Sequence, residues 1–282
     1  MGINEIKNLL KKYHYWPVKR LGQNFLINKL TIKKVIKTAE LGPADIILEI
    51  GPGPGILTLE LAKKVKEVLA VEKDKTMIEI LKEVIKKHQI NNVKVIHQDI
   101  LKFNPQKYKL KNRSYKIVAN LPFYLTAPVI RKFLEKTPIL PSQMVLVVQK
   151  EVGQRICAQH PRLNLLAISV QFYAQPQIIS FISKKSFWPS PRVDSTIIKI
   201  KPNSSVFKIK PLVRQQFFKL VRAGFSQPRK QLLNNLAKIL NLKNKEKIKS
   251  WLLKYQIQPN QRAETLKIED WLNLSKNLWQ LK

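Results

Sequence analysis

Two stretches of this chain carry residue types arranged for chemistry: Glu49-Ile50-Gly51-Pro52-Gly53-Pro54-Gly55 and Asn120-Leu121-Pro122-Phe123. The first follows an apolar run and precedes a helical pattern. Closely spaced glycines at a strand-to-helix turn let the backbone approach a ligand. A dinucleotide fingerprint needs its third glycine three residues after the second. That position holds Ile56, so the pyrophosphate reading fails. A tight Gly-x-Gly-x-Gly suits a cofactor made of amino-acid and nucleoside parts without phosphates. Two acids extend the pattern. Glu72 ends the apolar run 68–71, where a carboxylate can accept from both ribose hydroxyls; Asp99 follows the run 93–96, where it can accept from an adenine amine. Each feature by itself reads as a tight turn or a solvated acid. Placed at the carboxyl ends of successive strands, Gly51, Gly53, Gly55, Glu72 and Asp99 fit S-adenosylmethionine.

The second stretch ends another apolar run. Pro122 fixes the turn and points the preceding carbonyls outward. An adenine exocyclic amine is a poor nucleophile, because its lone pair is delocalised into the ring. Attack on a sulfonium methyl requires the nitrogen to move from planar toward tetrahedral, and acceptors on its two hydrogens favour that change. The Asn120 side-chain oxygen and a backbone carbonyl of Leu121 or Pro122 supply such acceptors. No strong base is needed, since the proton becomes acidic only after transfer, so alignment and preorganised dipoles carry the rate. Phe123 offers a face for a flipped base, worth roughly 1–3 kcal/mol. The plainer reading is a capped turn with Phe123 in the core, and only the upstream glycines and acids weigh against it.

The elements that must hold these residues alternate. Strand-like runs at 46–50, 68–71, 93–96, 115–119 and 144–148 are separated by helical patterns at about 55–64, 75–88 and 126–135. Such alternation predicts a doubly wound, mostly parallel α/β sheet, Rossmann-like in form. Runs near 177–183 and 193–200 flank a Pro-rich connection and predict a closing antiparallel pair, giving seven strands. A further helix is expected over 28–39 with Asn28 as N-cap. Residues 3–13 place Ile3, Ile6, Leu9, Leu10 and Tyr13 at helical spacing between lysines. With Glu5 present and little Arg or Ser, they read as a basic surface helix of the mature protein rather than a transit peptide. After Pro202 only helical periods remain, with breaks near 225–228, 241–244 and 257–265. The expected domains are therefore 1–202, catalytic, and 203–282, a small helical unit that binds RNA or the ribosome.

Composition points to the partner. The chain has 52 lysines and arginines against 18 acids, a formal charge of +34, and 18 of those basic residues against 4 acids fall in 201–282. So large an excess repels itself unless a polyanion neutralises it, and nucleic acid is the leading candidate over an anionic membrane surface. A Lys-rich genome would be the uninteresting cause. Cys157 is the single cysteine, which excludes an internal disulfide framework and a Cys-based zinc site; it reads as a small apolar core residue. His14, His88, His97 and His160 have no metal-ligand spacing, so no metal is expected. No apolar run approaches the ~20 residues that span a bilayer.

Several motifs together resemble the ribosomal RNA adenine dimethyltransferase family. They are Gln23-Asn24-Phe25-Leu26, residues 49–53, residues 120–123, Gln149-Lys150-Glu151-Val152, Phe187-Trp188-Pro189-Ser190-Pro191-Arg192-Val193-Asp194-Ser195, and Arg222-Ala223-Gly224-Phe225-Ser226-Gln227. The likeness covers about residues 18–240. It implies S-adenosylmethionine contacts at Asn24, Leu26, Gly51, Glu72, Asp99 and Asn120, and Phe187 facing Phe123 across the target base. It also implies dimethylation of two adjacent adenosines near the 3′ end of 16S rRNA. The expected partners are then 16S rRNA and the small-subunit precursor, met in the cytoplasm by a monomer. Three departures stand out. Phe123 replaces a more usual Tyr, Pro228 stands where a basic residue is usual, and residues 160–166 lack a Tyr-Gly pair. The alternatives are a 23S rRNA adenine methyltransferase of the macrolide-resistance type and a non-catalytic nucleic-acid-binding relative. The length, the motif at 187–195 and the basic helical region argue against the first; an intact 120–123 argues against the second.

Overall fold

A computed structural model describes residues 1–17, 22–239 and 245–281. In chain order its elements are α1 (Ile3–Lys12), β1 (Phe25–Leu26), α2 (Lys29–Thr38), β2 (Ile46–Ile50), α3 (Ile56–Ala62), β3 (Glu67–Glu72), α4 (Lys75–Lys87), β4 (Val93–His97), β5 (Tyr115–Asn120), α5 (Thr126–Arg131), β6 (Gln143–Gln149), α6 (Lys150–Ile156), α7 (Leu165–Gln171), β7 (Ala174–Ile182), β8 (Phe187–Trp188), β9 (Ser195–Pro202), α8 (Pro211–Gly224), α9 (Leu232–Ile239), α10 (Lys245–Lys254) and α11 (Ile268–Lys276). The expected break at 241–244 lies outside the described residues.

Seven strands form one sheet in the order β4-β3-β2-β5-β6-β9-β7. The pairs β2–β3, β2–β5, β3–β4 and β5–β6 are parallel, and β9 runs antiparallel to β6. The α/β sheet expected from the alternating runs is thus present. Sequence order explains the centre. The interior strands read Ile-Ile-Leu-Glu-Ile, Tyr-Lys-Ile-Val-Ala-Asn and Gln-Met-Val-Leu-Val-Val-Gln, nearly continuous apolar runs, because helices cover both faces of a parallel sheet. Each buried Val, Ile or Leu contributes roughly 1.5–3 kcal/mol. At the edge, β4 keeps only Ile96 fully covered. The chain steps outward from β2 through β3 to β4, then returns to β5 on the other side of β2. That reversal opens a crevice at the carboxyl ends of β2 and β5.

Capping is local and legible. Asn28 accepts the Thr31 N–H at 2.9 Å, and Asp74 accepts the Met77 N–H at 3.1 Å. Helix α1 buries Ile6, Leu9 and Leu10 in the core, while Lys12 and Glu5 reach α4 through pairs with Glu83 and Lys87, each at 2.7 Å. It is therefore integral to the fold.

Differences from the sequence reading are few. Helices α6 and α7, seven residues each, are additional to the helical patterns legible in the sequence. The two-residue strands β1 and β8 pair with each other in a separate antiparallel ribbon. The helix expected to 135 widens after Arg131 into a π turn over Lys132–Lys136, where consecutive Phe133 and Leu134 are both buried. Cys157 is half-buried rather than in the core, and burial pushes its thiol up to about 11.

The compact units do not follow a single cut after 202. One unit is Met1–Gly153 with Pro176–Pro202, and the other is Gln154–Gln175 with Asn203–Lys282. The excursion has a packing cause within the second unit. The Phe172 ring lies 4.2 Å from that of Phe217, the Leu163 N–H donates to Glu264 O at 3.0 Å, and the Asn203 N–H donates to Tyr173 O at 2.8 Å. The motif at 222–227 closes α8 in this unit. Buried Asn235 donates to Gly224 O at 2.6 Å and to Gln227 O at 3.0 Å, and a Cβ at Gly224 would run into Trp271. Pro228, Arg229 and Lys230 follow on the surface.

Candidate active site

A cavity of about 460 Å³ lies at the carboxyl ends of the central strands, and Asn24, Gly51, Gly53, Glu72, Asp99, Asn120 and Pro122 all line it. The residues singled out by spacing are thus brought together from four neighbouring strand ends, and Asn24, implied by the family resemblance, joins them from an N-terminal segment. Gly51 follows β2, Glu72 ends β3, Asp99 lies just beyond β4 and Asn120 ends β5.

The glycine turn works as its composition requires. Gly51 has φ +65, and a Cβ built on it would meet nothing within 4 Å among the described residues. Since Gly51 lines the cavity, a side chain there would project into the space a ligand needs, from a backbone conformation L-residues resist. Its N–H is tied to Val71 O at 2.9 Å, joining the turn to β3. Gly55, at φ +89, caps α3; a Cβ there would come within 2.6 Å of Leu81.

Glu72 is held by three backbone donors. Its Oε1 accepts the Lys73 N–H at 2.7 Å and the Asp74 N–H at 3.0 Å, and its Oε2 accepts the Gly53 N–H at 3.3 Å. Two carboxylate oxygens offer about four acceptor positions. Oε2, with one long bond, therefore retains the most capacity for a ligand hydroxyl. Burial pushes the carboxyl above the usual range, against the stabilising pull of those three N–H groups. Asp99 accepts the Leu101 N–H at 2.9 Å and pairs with the Lys73 ammonium at 3.0 Å. Burial pushes Asp99 up as well, but the Leu101 N–H and Lys73 outweigh it and hold the carboxyl below its ordinary value. Asp99 is a lasting acceptor beside the cavity.

Asn120 is oriented by a hydrogen bond that sequence could not reveal. Its Nδ2 donates to the backbone carbonyl of Asn24 at 2.8 Å. With the amide nitrogen committed, Oδ1 is the atom left to accept. Segment 22–24 is itself fitted to this loop. Gly22 has φ +61, a Cβ on it would lie 3.4 Å from Pro122 Cβ, and Asn24 Nδ2 donates to Gly22 O at 3.2 Å. Behind it, the Tyr15 hydroxyl donates to Asp74 Oδ2 at 2.6 Å and accepts from Gln23 Nε2 at 2.7 Å. In the loop, the Leu121 N–H bonds to Val147 O at 3.1 Å and the Pro122 carbonyl accepts the Leu125 N–H at 2.9 Å. Of the two carbonyls that sequence leaves open, Pro122's is already engaged, which favours Leu121's.

Besides Gly55, which caps α3, four expected residues do not line the cavity. Leu26, Leu121 and Phe187 are buried at 4%, 3% and 4% exposure, and Phe123 is half-buried. Phe187 sits opposite Leu26 in the β1–β8 ribbon and packs in the hydrophobic core. Its ring serves the scaffold here, packed in the core where its apolar surface is shielded from water. Sequence reasoning passed over Lys73, Leu101 and Tyr124, which do line the cavity. Their signal was adjacency, since each follows a residue already chosen or lies one removed from it. Glu49, fully buried, lies one residue before the cavity-lining Ile50. Its Oε2 finds no hydrogen-bond partner among the described residues. Burial pushes its carboxyl up to about 8, with Thr58 opposing and Glu72 adding to the shift.

Comparison with known proteins decides the family. The model of the family described as ribosomal RNA adenine dimethylase matches residues 18–280. This chain belongs to that family. It is 42% identical over 271 residues to the "Ribosomal RNA small subunit methyltransferase A" of Dehalococcoides mccartyi, covering 96% of this chain and 91% of that protein. Among solved structures it resembles a dimethyladenosine transferase from Plasmodium falciparum, with TM-score 0.75, 26% identity and coverage of 91% and 98% of the two chains. It also shares its fold with the 23S rRNA methyltransferase ErmE, with TM-score 0.71, 24% identity and coverage of 90% and 99%. The chain is thus a family member with the Rossmann-like methyltransferase fold and an enzyme of rRNA adenine dimethylation. Among the described residues no helix is long and apolar enough to cross a membrane.

Proposed function

We propose that this chain transfers methyl groups from S-adenosylmethionine to the exocyclic amines of two adjacent adenosines in the 3′-terminal hairpin of 16S rRNA, giving N6-dimethyladenosine during small-subunit assembly. The observation that carries the reading is the Asn120 amide, pinned by the Asn24 carbonyl so that Oδ1 is the atom left to accept, beside a glycine turn and two acids. S-adenosylmethionine, when bound, supplies an electrophilic sulfonium methyl. The donor set fits it: Gly51 gives close backbone approach, Glu72 Oε2 accepts a ribose hydroxyl and ionised Asp99 accepts from the adenine amine. Asn24 and Gly53 shape the same wall, with Leu26 supporting it from the core.

On the substrate side, Asn120 Oδ1 and the Leu121 carbonyl accept the two hydrogens of the target amine and favour its pyramidal form. Phe123 gives the base a hydrophobic face, while Phe187 is buried within the β1–β8 ribbon. Shape-reading of folded RNA falls to the basic surfaces, since A-form grooves hide base identity. The second compact unit, with 203–282, serves as the ribosome-binding part, and the enzyme acts as a cytoplasmic monomer. The 42% likeness to a small-subunit enzyme over nearly the whole chain supports 16S rRNA over 23S.

The test is radiolabelled methyl incorporation into undermethylated small subunits, large subunits and naked hairpin RNA, followed by nucleoside analysis. Dimethyladenosine in small-subunit RNA is expected. Label mainly in large-subunit RNA, or monomethyladenosine alone, would overturn the assignment in favour of the resistance-type activity.

A further inference from the structure

Neither ring expected to receive a base lines the cavity, but two other aromatics do, the buried Phe25 and the exposed Tyr124. Tyr124, directly after Phe123, lines it and is 54% exposed. Leu101 lines it too and is 41% exposed. Among the described residues these are the two large exposed hydrophobics that touch the cavity. Exposed side chains of this size lose little by being covered and gain by it, so a pair of them at one opening marks where a flat apolar partner rests. Both are held firmly. Tyr124 lies in the single 3-10 turn Phe123–Leu125, closed by the Leu125 N–H on Pro122 O at 2.9 Å. Leu101 lies in the turn capped by Asp99, and its own carbonyl accepts from Lys132 Nζ at 3.0 Å.

The position limits what the pair can hold. The target amine must reach Asn120 Oδ1 and the Leu121 carbonyl, the inner end of the loop. Tyr124 follows them on the exposed side. A base entering to Asn120 stays covalently linked to its neighbours, and a neighbouring nucleotide is left at the opening. We propose that Tyr124, together with Leu101 on the lining of the same cavity, forms a stacking platform for the nucleotide adjacent to the target adenosine. The inference rests on the assignment of rRNA adenosine as substrate. A ring face accepts any base, so the platform adds affinity and holds the strand in line while the target base is out of its stack. It gives the site a grip on a run of two nucleotides, which suits an enzyme that modifies adjacent bases in turn.

The experiment uses the full chain and three versions of residue 124: the parent, Tyr124→Ala and Tyr124→Phe. Hairpin RNA carrying 2-aminopurine next to a target adenosine reports stacking by quenching. Quenching is expected with the parent and with Tyr124→Phe, which keeps the ring, and its loss with Tyr124→Ala. On the RNA that the parent labels, Tyr124→Ala should lower kcat/KM about tenfold, mostly through KM, with Tyr124→Phe restoring it. Calorimetric affinity for S-adenosylmethionine should stay within about twofold for all three, because the platform holds RNA rather than cofactor. Equal quenching and equal kcat/KM in the alanine variant would overturn the proposal. So would a parallel loss of cofactor affinity, which would make Tyr124 part of the cofactor wall. Labelling of large-subunit RNA by the parent would instead refute the small-subunit assignment alone, and the Tyr124 comparison would then be read on that RNA.

Discussion

Replacing Asn120 with alanine removes two interactions of different kinds, and the structure lets their sizes be separated. The Nδ2 bond to Asn24 O at 2.8 Å is structural. Its loss costs about 0.5–1.5 kcal/mol of stability, a small part of what holds a domain of this size. The Oδ1 acceptor is matched to the amine as it becomes tetrahedral, so it acts mainly on the transition state. Removing one preorganised dipole of that kind costs about 2.7–4 kcal/mol, or roughly 10²–10³ in rate. Asn120→Asp separates the two roles further. It keeps an oxygen toward the substrate but turns a second oxygen against the Asn24 carbonyl, so the side chain must rotate away and most of the rate should be lost as well. Asn24→Ala keeps the backbone carbonyl that pins Asn120, so at saturating cofactor its effect on the methyl-transfer step should be much smaller. The assay is single-turnover methyl transfer on undermethylated small subunits, with thermal melting as the check on folding. A fall of less than about tenfold for Asn120→Ala, worth roughly 1.4 kcal/mol, would show that the pinned amide does not align the amine.

Three further outcomes are expected. Glu72→Ala should weaken S-adenosylmethionine binding by about 1–3 kcal/mol in calorimetry, and in the parent chain affinity should fall as pH drops through the raised Glu72 value, because the protonated acid loses its acceptor; unchanged affinity in the variant removes Glu72 from the site. Glu49, with its folded value at about 8 and an ordinary value near 4.5, contributes stability below 4.5 that is lost as pH rises toward 8, so Glu49→Gln should stabilise the chain relative to the parent more at pH 8.5 than at pH 5.5, and a pH-independent difference in melting temperature would count against a neutral buried acid. RNA binding should weaken steeply with salt; reversing the exposed lysines Lys29, Lys33 and Lys37 on α2, or Arg229 with Lys230, should flatten the slope of log affinity against log salt by roughly 0.7–0.9 for each phosphate no longer neutralised, and a variant with the parent slope would show that its face does not touch RNA.

The last of these replaces the simpler truncation that the sequence invites. A cut after 202 looks clean in the periodicities, because strands end there and only helices follow. The second unit nevertheless takes in residues 154–175, whose Phe172 packs on Phe217. Truncation would strip that ring of its partner and confuse weaker RNA binding with failure to fold. The boundary is hidden because pairings distant in sequence, such as Leu163 with Glu264 and Phe172 with Phe217, leave no local mark.

The same contrast runs through the site. Strand-end chemistry was legible because a parallel sheet converts sequence into position: any residue just past an apolar run lies at the same edge, and the β2–β5 reversal opens the crevice there. Gly51, Glu72, Asp99 and Asn120 needed no further information. What pattern could not give was orientation. That the Asn120 nitrogen is taken by the Asn24 carbonyl depends on residues 96 positions apart. That Phe187 turns into the core depends on its pairing with Leu26 across a two-residue ribbon. Motif likeness places both phenylalanines at the site, but exposure separates them from Tyr124, and exposure follows from how the whole chain packs. Residue type and spacing therefore specify which groups meet at this crevice, while the atoms free to act there are set by the hydrogen bonds and ring packing that distant segments supply.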